Sequence, residues 1–128
     1  DAGLIPIIEP EVTITISQKS QAEESLKKSL IKYLKKLQPN QNILLKLTLP
    51  EQENFYEELV KHPNVLRVVA LSGGYSLTEA NKRLEENSGV IASFSRALTQ
   101  SLFIHQNNDE FNLALEQSIS AIATASKT

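Results

Sequence analysis

The chain has 128 residues, 41 % of them hydrophobic and 22 % charged, with a formal net charge of -2. That length suits one modest domain with a single core, and the slightly acidic balance argues against a nucleic-acid footprint. Without cysteine there are no disulfides and no thiolate chemistry, and no apolar run approaches the roughly 20 residues of a membrane span or opens the chain as a signal sequence.

In chain order, Gly3 reads as a hinge into a first strand over Leu4–Glu9, which Pro10 and the alternation from Val12 to Ile16 carry into a loop. Ser20 with Glu23 three residues on predicts an N-cap and capping box. Leu26, Leu30, Tyr33, Leu34 and Leu37 then recur at helical spacing until Pro39-Asn40. The lysines of this stretch, Lys27, Lys28, Lys32, Lys35 and Lys36, read as a solvated face. Ile43–Thr48 is a second strand closed by Pro50, and a helix is predicted over 51–61 with Phe55, Tyr56, Leu59 and Val60 turned inward. Val65–Leu71 forms a third strand. A third helix spans 76–86 with Ala80 and Leu84 inward, and Asn87-Ser88-Gly89 ends it. Val90–Phe94 is the fourth strand, followed by a helical-looking stretch over 97–102 and a last helix over 109–125 with Phe111, Leu115, Ile119 and Ile122 in register.

Near-continuous apolar strands alternating with helices predict an α/β fold with a parallel, helix-covered sheet. A (β/α)8 barrel needs eight strands and typically ~250 residues, so four units amount to half of one. The chain contains no methionine and opens at Asp1-Ala2-Gly3, almost directly upstream of a strand. The expectation is a cut through a longer protein, with the first and fourth strands left as apolar edges.

Polar and turn-forming residues gather at the C-terminal ends of all four strands, where parallel β/α folds build their sites. Lys46 interrupts an apolar strand. In an apolar site an unpaired ammonium is disfavoured, which frees the amine to attack a carbonyl and form a Schiff base; the alternative is a lysine snorkelling from a strand end. Glu9 and Glu11, two residues apart, place both carboxylates on one face about 6.6 Å apart. Such a pair can shuttle protons around a forming imine, or can be two surface glutamates. Ser72-Gly73-Gly74 can turn successive amides toward an anion, although such turns also occur without a ligand. Ser95 and Arg96, at a predicted helix start after the next strand, add amides and a phosphate-shaped guanidinium. His62 and His105 have no metal partner or nucleophile at useful spacing and read as surface histidines; neither a metal nor a cofactor is expected.

Gly3-Leu4-Ile5-Pro6-Ile7-Ile8-Glu9-Pro10-Glu11, Leu44-Leu45-Lys46, Leu71-Ser72-Gly73-Gly74 and Ser93-Phe94-Ser95-Arg96-Ala97-Leu98 resemble, in order, the second half of class I fructose-bisphosphate aldolases, most closely the shorter bacterial type. The resemblance covers essentially the whole chain. It implies that residues 1–128 are the C-terminal half-barrel, strands five to eight of a TIM barrel whose N-terminal half is absent here. It also implies a cytoplasmic lyase of glycolysis and gluconeogenesis that cleaves fructose 1,6-bisphosphate reversibly into dihydroxyacetone phosphate and glyceraldehyde 3-phosphate. Lys46 would be the Schiff-base lysine, Glu9 the acid/base that dehydrates the carbinolamine, and Glu11 the group that orders the amine. Ser72, Gly73, Gly74, Ser95 and Arg96 would hold a substrate phosphate. Two departures stand out: Ser95 replaces a glycine found in vertebrate-like members, and Ser126-Lys127-Thr128 replaces their terminal tyrosine. The family's early strands supply an aspartate acting on the carbon–carbon bond and further phosphate ligands, which have no counterpart here. A non-catalytic phosphosugar-binding half-barrel, or a Schiff-base aldolase for another sugar phosphate, remains open. Expected partners are the phosphorylated sugar and either the missing half or a second copy of the chain, with no nucleic acid and no membrane.

Overall fold

The computed structural model describes residues 3–128, so the expectation attached to Asp1 lies outside the described residues. Strands and helices alternate as β1 (Ile7–Ile8), α1 (Lys19–Leu34), β2 (Ile43–Thr48), α2 (Glu57–Val60), β3 (Val65–Leu71), α3 (Leu77–Glu85), β4 (Val90–Ala92) and α4 (Asn108–Ala125). Every strand pairing is parallel and the sheet order is β1-β2-β3-β4. Each strand is therefore laid beside its predecessor, which is the progression of a (β/α) barrel. A doubly wound sheet instead reverses its strand order at a switch point.

The two faces of β2 divide the molecule. Leu45 and Leu47, with Leu49 just beyond, are at most 1 % exposed and pack with Leu34 of α1, Leu59 of α2 and Ala80 and Leu84 of α3. Leu44, Lys46 and Thr48 have the opposite parity and stand on the face turned away from this core. Across the sheet Lys46 lies beside Val69, which lies beside Ile91. An irregularity between Ile43 and Leu44 skips Leu66, since Ile43 pairs with Val65 and Leu44 with Arg67. This bulge leaves Leu66 half-exposed and brings Val68 and Ala70 into the core in phase with Leu45 and Leu47.

Four local expectations are corrected. Ser20 is not the N-cap of α1: the helix begins at Lys19 after Gln18, which makes no side-chain cap bond. Glu23 cannot close a capping box because its buried carboxylate takes Lys19 and the amide of Glu51 instead. The second helix shrinks to Glu57–Val60. Asn54 adopts a left-handed φ of 53°, and its side chain accepts the Ser88 amide at 2.9 Å, so turns fill residues 51–56. Residues 96–101 form turns rather than a helix. Tyr33, at 62 % exposure, faces solvent under the Lys36 ammonium.

The last helix carries the capping box the sequence suggested elsewhere: Asn107 accepts the Asp109 and Glu110 amides, and Glu110 accepts the Asn107 amide. Its apolar stripe is only partly covered, with Phe111 and Ile119 left exposed. The edge strands β1 and β4 are shorter than expected, and Ile7 and Ile8 are about half-exposed. A Leu47→Ala substitution should cost about 2–5 kcal/mol through lost burial and the residual cavity. Denaturant unfolding of the protein checks this, and a loss well under 1 kcal/mol would mean that Leu47 is not in a packed core.

Candidate active site

The position of Lys46 follows from strand register. Ile7 pairs with Leu44, so two residues further on Glu9 comes alongside Lys46 on the same face. The Lys46 ammonium donates to Glu9 Oε2 at 3.0 Å. Glu11 turns instead to Arg96, with Oε1 and Nη2 3.8 Å apart. These four groups share a cleft of about 200 Å³ with Ser72, Gly73 and Ser95, floored by Leu71 and Ser93. Seven of the eight residues singled out in the sequence thus meet at one place. Gly74 does not line the cleft.

The surroundings differ from expectation in two respects. Lys46 is not unpaired: its side chain is 28 % exposed and held against a carboxylate, while Phe94, Leu98, Ile119 and Ile122 line an adjoining cavity with it. The register that brings the sheet together supplies the partner that the isolated strand sequence lacks. Arg96 does not sit at a helix start. Residues 96–101 turn without forming a helix, so the macrodipole argument for anion binding falls away there, and Ser95 and the exposed Arg96 guanidinium remain at the cleft.

Gly73 and Gly74 both have positive φ, 62° and 107°, where a side chain is strained. A Cβ on Gly73 would also meet Ile14 Cγ2 at 2.9 Å. The turn therefore presses against the loop that follows Glu9 and Glu11. That loop is tied to β2 as well, because the buried Thr48 hydroxyl accepts the Val12 amide at 2.9 Å. His62 accepts the Asn64 amide through Nδ1 and exposed His105 stacks on Phe103; both lie away from the cleft. Among the described residues no group of three or more His, Cys, Asp or Glu side chains is arranged to hold a metal ion, and no helix is long and apolar enough to cross a membrane.

A lysine amine, an adjacent proton carrier, a glycine turn and an arginine are the parts needed to bind a phosphorylated carbonyl compound and form an imine. No family model matches the chain. It is 59 % identical over 127 residues, 99 % of its length, to a fructose-bisphosphate aldolase class 1 of Synechocystis sp.. Proteins of the same name from Clostridium acetobutylicum and Porphyromonas gingivalis are each 52 % identical, over 98 % and 97 % of the chain. The chain is homologous to part of the class 1 fructose-bisphosphate aldolases. It spans 42–43 % of the length of these three relatives.

Beyond the cleft lies a polar cluster that sequence reasoning missed. Lys19 and Glu23 are buried against each other, and Lys19 also donates to the Leu49 carbonyl at 2.9 Å. Glu51 gathers three donors on one carboxylate oxygen: Lys19 at 3.2 Å, the Tyr75 hydroxyl at 3.2 Å and Arg83 at 3.4 Å. The i,i+4 spacings Lys19–Glu23 and Glu79–Arg83 were visible in the sequence. The convergence of all these groups on Glu51, across roughly 30 residues, was not.

Burial pushes the Glu51 carboxyl up, but Lys19, Arg83 and the Tyr75 hydroxyl outweigh it and hold the group below its ordinary value of 4.5. Burial, reinforced by Glu51 and Glu23 and opposed by Arg83, pushes the Tyr75 hydroxyl up to about 12. Because the folded value of Glu51 is depressed, its stabilisation is present in full above pH 4.5 and is lost as pH falls through the lower folded value. Glu51→Gln should therefore be less stable than the parent at pH 7, with the gap closing under acid. Unfolding curves between pH 7 and pH 3 read this directly, and a gap that stays constant would remove Glu51 from the linkage.

Proposed function

We propose that the protein containing this chain is a class I fructose-bisphosphate aldolase, and that residues 1–128 form the C-terminal half of its barrel, strands five to eight. The single observation that carries this reading is the Lys46–Glu9 contact at 3.0 Å inside a cleft lined by Gly73 and Arg96. The extent and level of identity to proteins named for that activity support it. The half-exposed Ile7 and Ile8 of edge strand β1 are consistent with further strands closing the barrel.

In this reading Glu9 takes a proton from the Lys46 ammonium, and the neutral amine attacks the ketone carbon of the open-chain sugar. The carbinolamine then receives a proton on its hydroxyl from Glu9, expels water and leaves a protonated imine. With the imine as electron sink, the bond between the third and fourth sugar carbons breaks to give an enamine and an aldehyde. The proton from the fourth carbon's hydroxyl leaves to a base contributed by the other half of the barrel. Protonation and hydrolysis of the enamine release dihydroxyacetone phosphate and return Lys46. Glu11 holds Arg96 in place until phosphate arrives. Ser72 and Gly73 supply turn amides, with Gly74 shaping the turn from outside the cleft, and Ser95 adds an amide and Arg96 a charged fork for that phosphate. The protein works in the cytoplasm as a glycolytic and gluconeogenic lyase, with a phosphorylated ketose or triose as ligand and a second copy or its own other half as protein partner.

Lys46→Arg in the full-length protein should abolish the adduct trapped by borohydride with dihydroxyacetone phosphate while leaving phosphate affinity largely intact, since arginine keeps the charge but forms no imine. Peptide mass mapping decides: a trapped adduct persisting in the variant would sink the assignment, and binding without any adduct in the parent would favour a non-catalytic phosphosugar module.

Arg96→Ala should weaken a phosphorylated substrate by about tenfold or more, the worth of one charge-assisted hydrogen bond, and an unphosphorylated analogue little. Comparing KM for the two substrates is the check. Equal losses would make Arg96 a structural residue.

A further inference from the structure

We infer that Glu51, Tyr75 and Arg83 form a strut that sets the position of the Ser72–Gly74 turn relative to Lys46, and hence how tightly the phosphate group is held. The inference rests on the aldolase reading of the cleft and adds positioning residues to it.

Glu51 follows Lys46 by five residues and is pinned to the end of β2 from both sides. Its amide donates to the buried Glu23 carboxylate at 3.2 Å, and two residues earlier the Leu49 carbonyl takes the buried Lys19 ammonium at 2.9 Å. The Glu51 carboxylate is thereby a fixed point in the frame of the lysine strand. From it the Tyr75 hydroxyl is held at 3.2 Å. Arg83 lies over the Tyr75 ring with its guanidinium carbon 4.5 Å from the ring centre and donates to the Pro50 carbonyl at 3.2 Å.

Tyr75 is the residue that closes the glycine turn: its amide donates to the Ser72 carbonyl at 2.9 Å. The turn between them holds two consecutive glycines at positive φ, a backbone with more freedom to lose than any other. On one side Gly73 is pressed by Ile14. On the other, Tyr75 supplies the side-chain attachment, and it leads to the segment that follows Lys46. Amide positions in a phosphate-binding turn matter at the scale of a hydrogen bond, so a tether that joins the turn to the lysine strand governs the distance between the phosphate end and the reacting carbonyl of one substrate.

The test uses Tyr75→Phe and Glu51→Ala in the full-length protein. Tyr75→Phe removes only the hydroxyl and keeps the ring for Arg83. Glu51 is partly exposed, so its truncation leaves the core in place. Both variants should speed hydrogen exchange of the Tyr75 amide by about threefold to tenfold, the scale of one net hydrogen bond, with β2 amides unchanged. They should raise KM for the phosphorylated substrate by a similar factor of about threefold to tenfold, leaving kcat and the KM of an unphosphorylated analogue near the parent's. Glu51→Gln, which keeps an acceptor for the Tyr75 hydroxyl, should restore the exchange rate. Unchanged Tyr75 exchange, or KM rising equally for both substrates, would overturn the strut. The aldolase reading is judged separately, by the Lys46 adduct in the parent. If that adduct is absent, the exchange rates together with calorimetric titration of inorganic phosphate still decide whether the strut holds the turn.

Discussion

The parallel register of β1 on β2 is the constraint from which the rest of the site follows. Pairing Ile7 with Leu44 brings Glu9 beside Lys46, and a slip of one residue would turn either side chain to the opposite face. The register is held from both faces. On one side Leu45 and Leu47 must meet the helices. On the other, the Thr48 hydroxyl holds the Val12 amide, which keeps the loop after Glu11 from drifting. The ion pair is consequently an outcome of hydrophobic packing that also satisfies a cation on the open face of the sheet.

Division of labour between the two faces of β2 lets one strand carry both the packed core and the candidate site. Its core-facing leucines each contribute on the order of 1.5–3 kcal/mol of burial. A part-exposed ion pair contributes far less, typically about 0.2–1 kcal/mol. Lys46 and Glu9 are therefore free to exchange partners with a ligand without threatening the fold. The Lys19–Glu23 pair is the converse case. It is buried, and it satisfies the Leu49 carbonyl and the Glu51 amide, so removing one partner would leave a charge stranded beneath the site.

Several local signals competed with tertiary packing and lost. Ser20 and Glu23 have the spacing of a capping box, but Glu23 is drawn inward by Lys19 and by the Glu51 amide, whose attraction a local pattern does not register. The apolar residues after Pro50 read as a helix from residue 51, yet Asn54 adopts a left-handed turn that docks on Glu86 and Ser88. Tyr33 fits a helical stripe and still faces solvent, because Leu30, Leu34 and Leu37 already fill the surface toward the sheet.

The sequence by itself determined the alternation of four apolar strands with helices, and so the parallel sheet. Strand parity and strand ends also carried Lys46, Glu9, Glu11, Ser72, Gly73, Ser95 and Arg96 to one region, because periodicity and turn chemistry are local properties. Tertiary structure alone decided which carboxylate meets which cation, since that depends on register between strands separated by more than 30 residues. It alone decided that Lys46 is paired rather than dry, and that Arg96 stands in a turn. Only there do Lys19, Glu51, Tyr75 and Arg83 become neighbours. Long-range polar convergence has no period along the chain, and the packing of the hydrophobic core creates it.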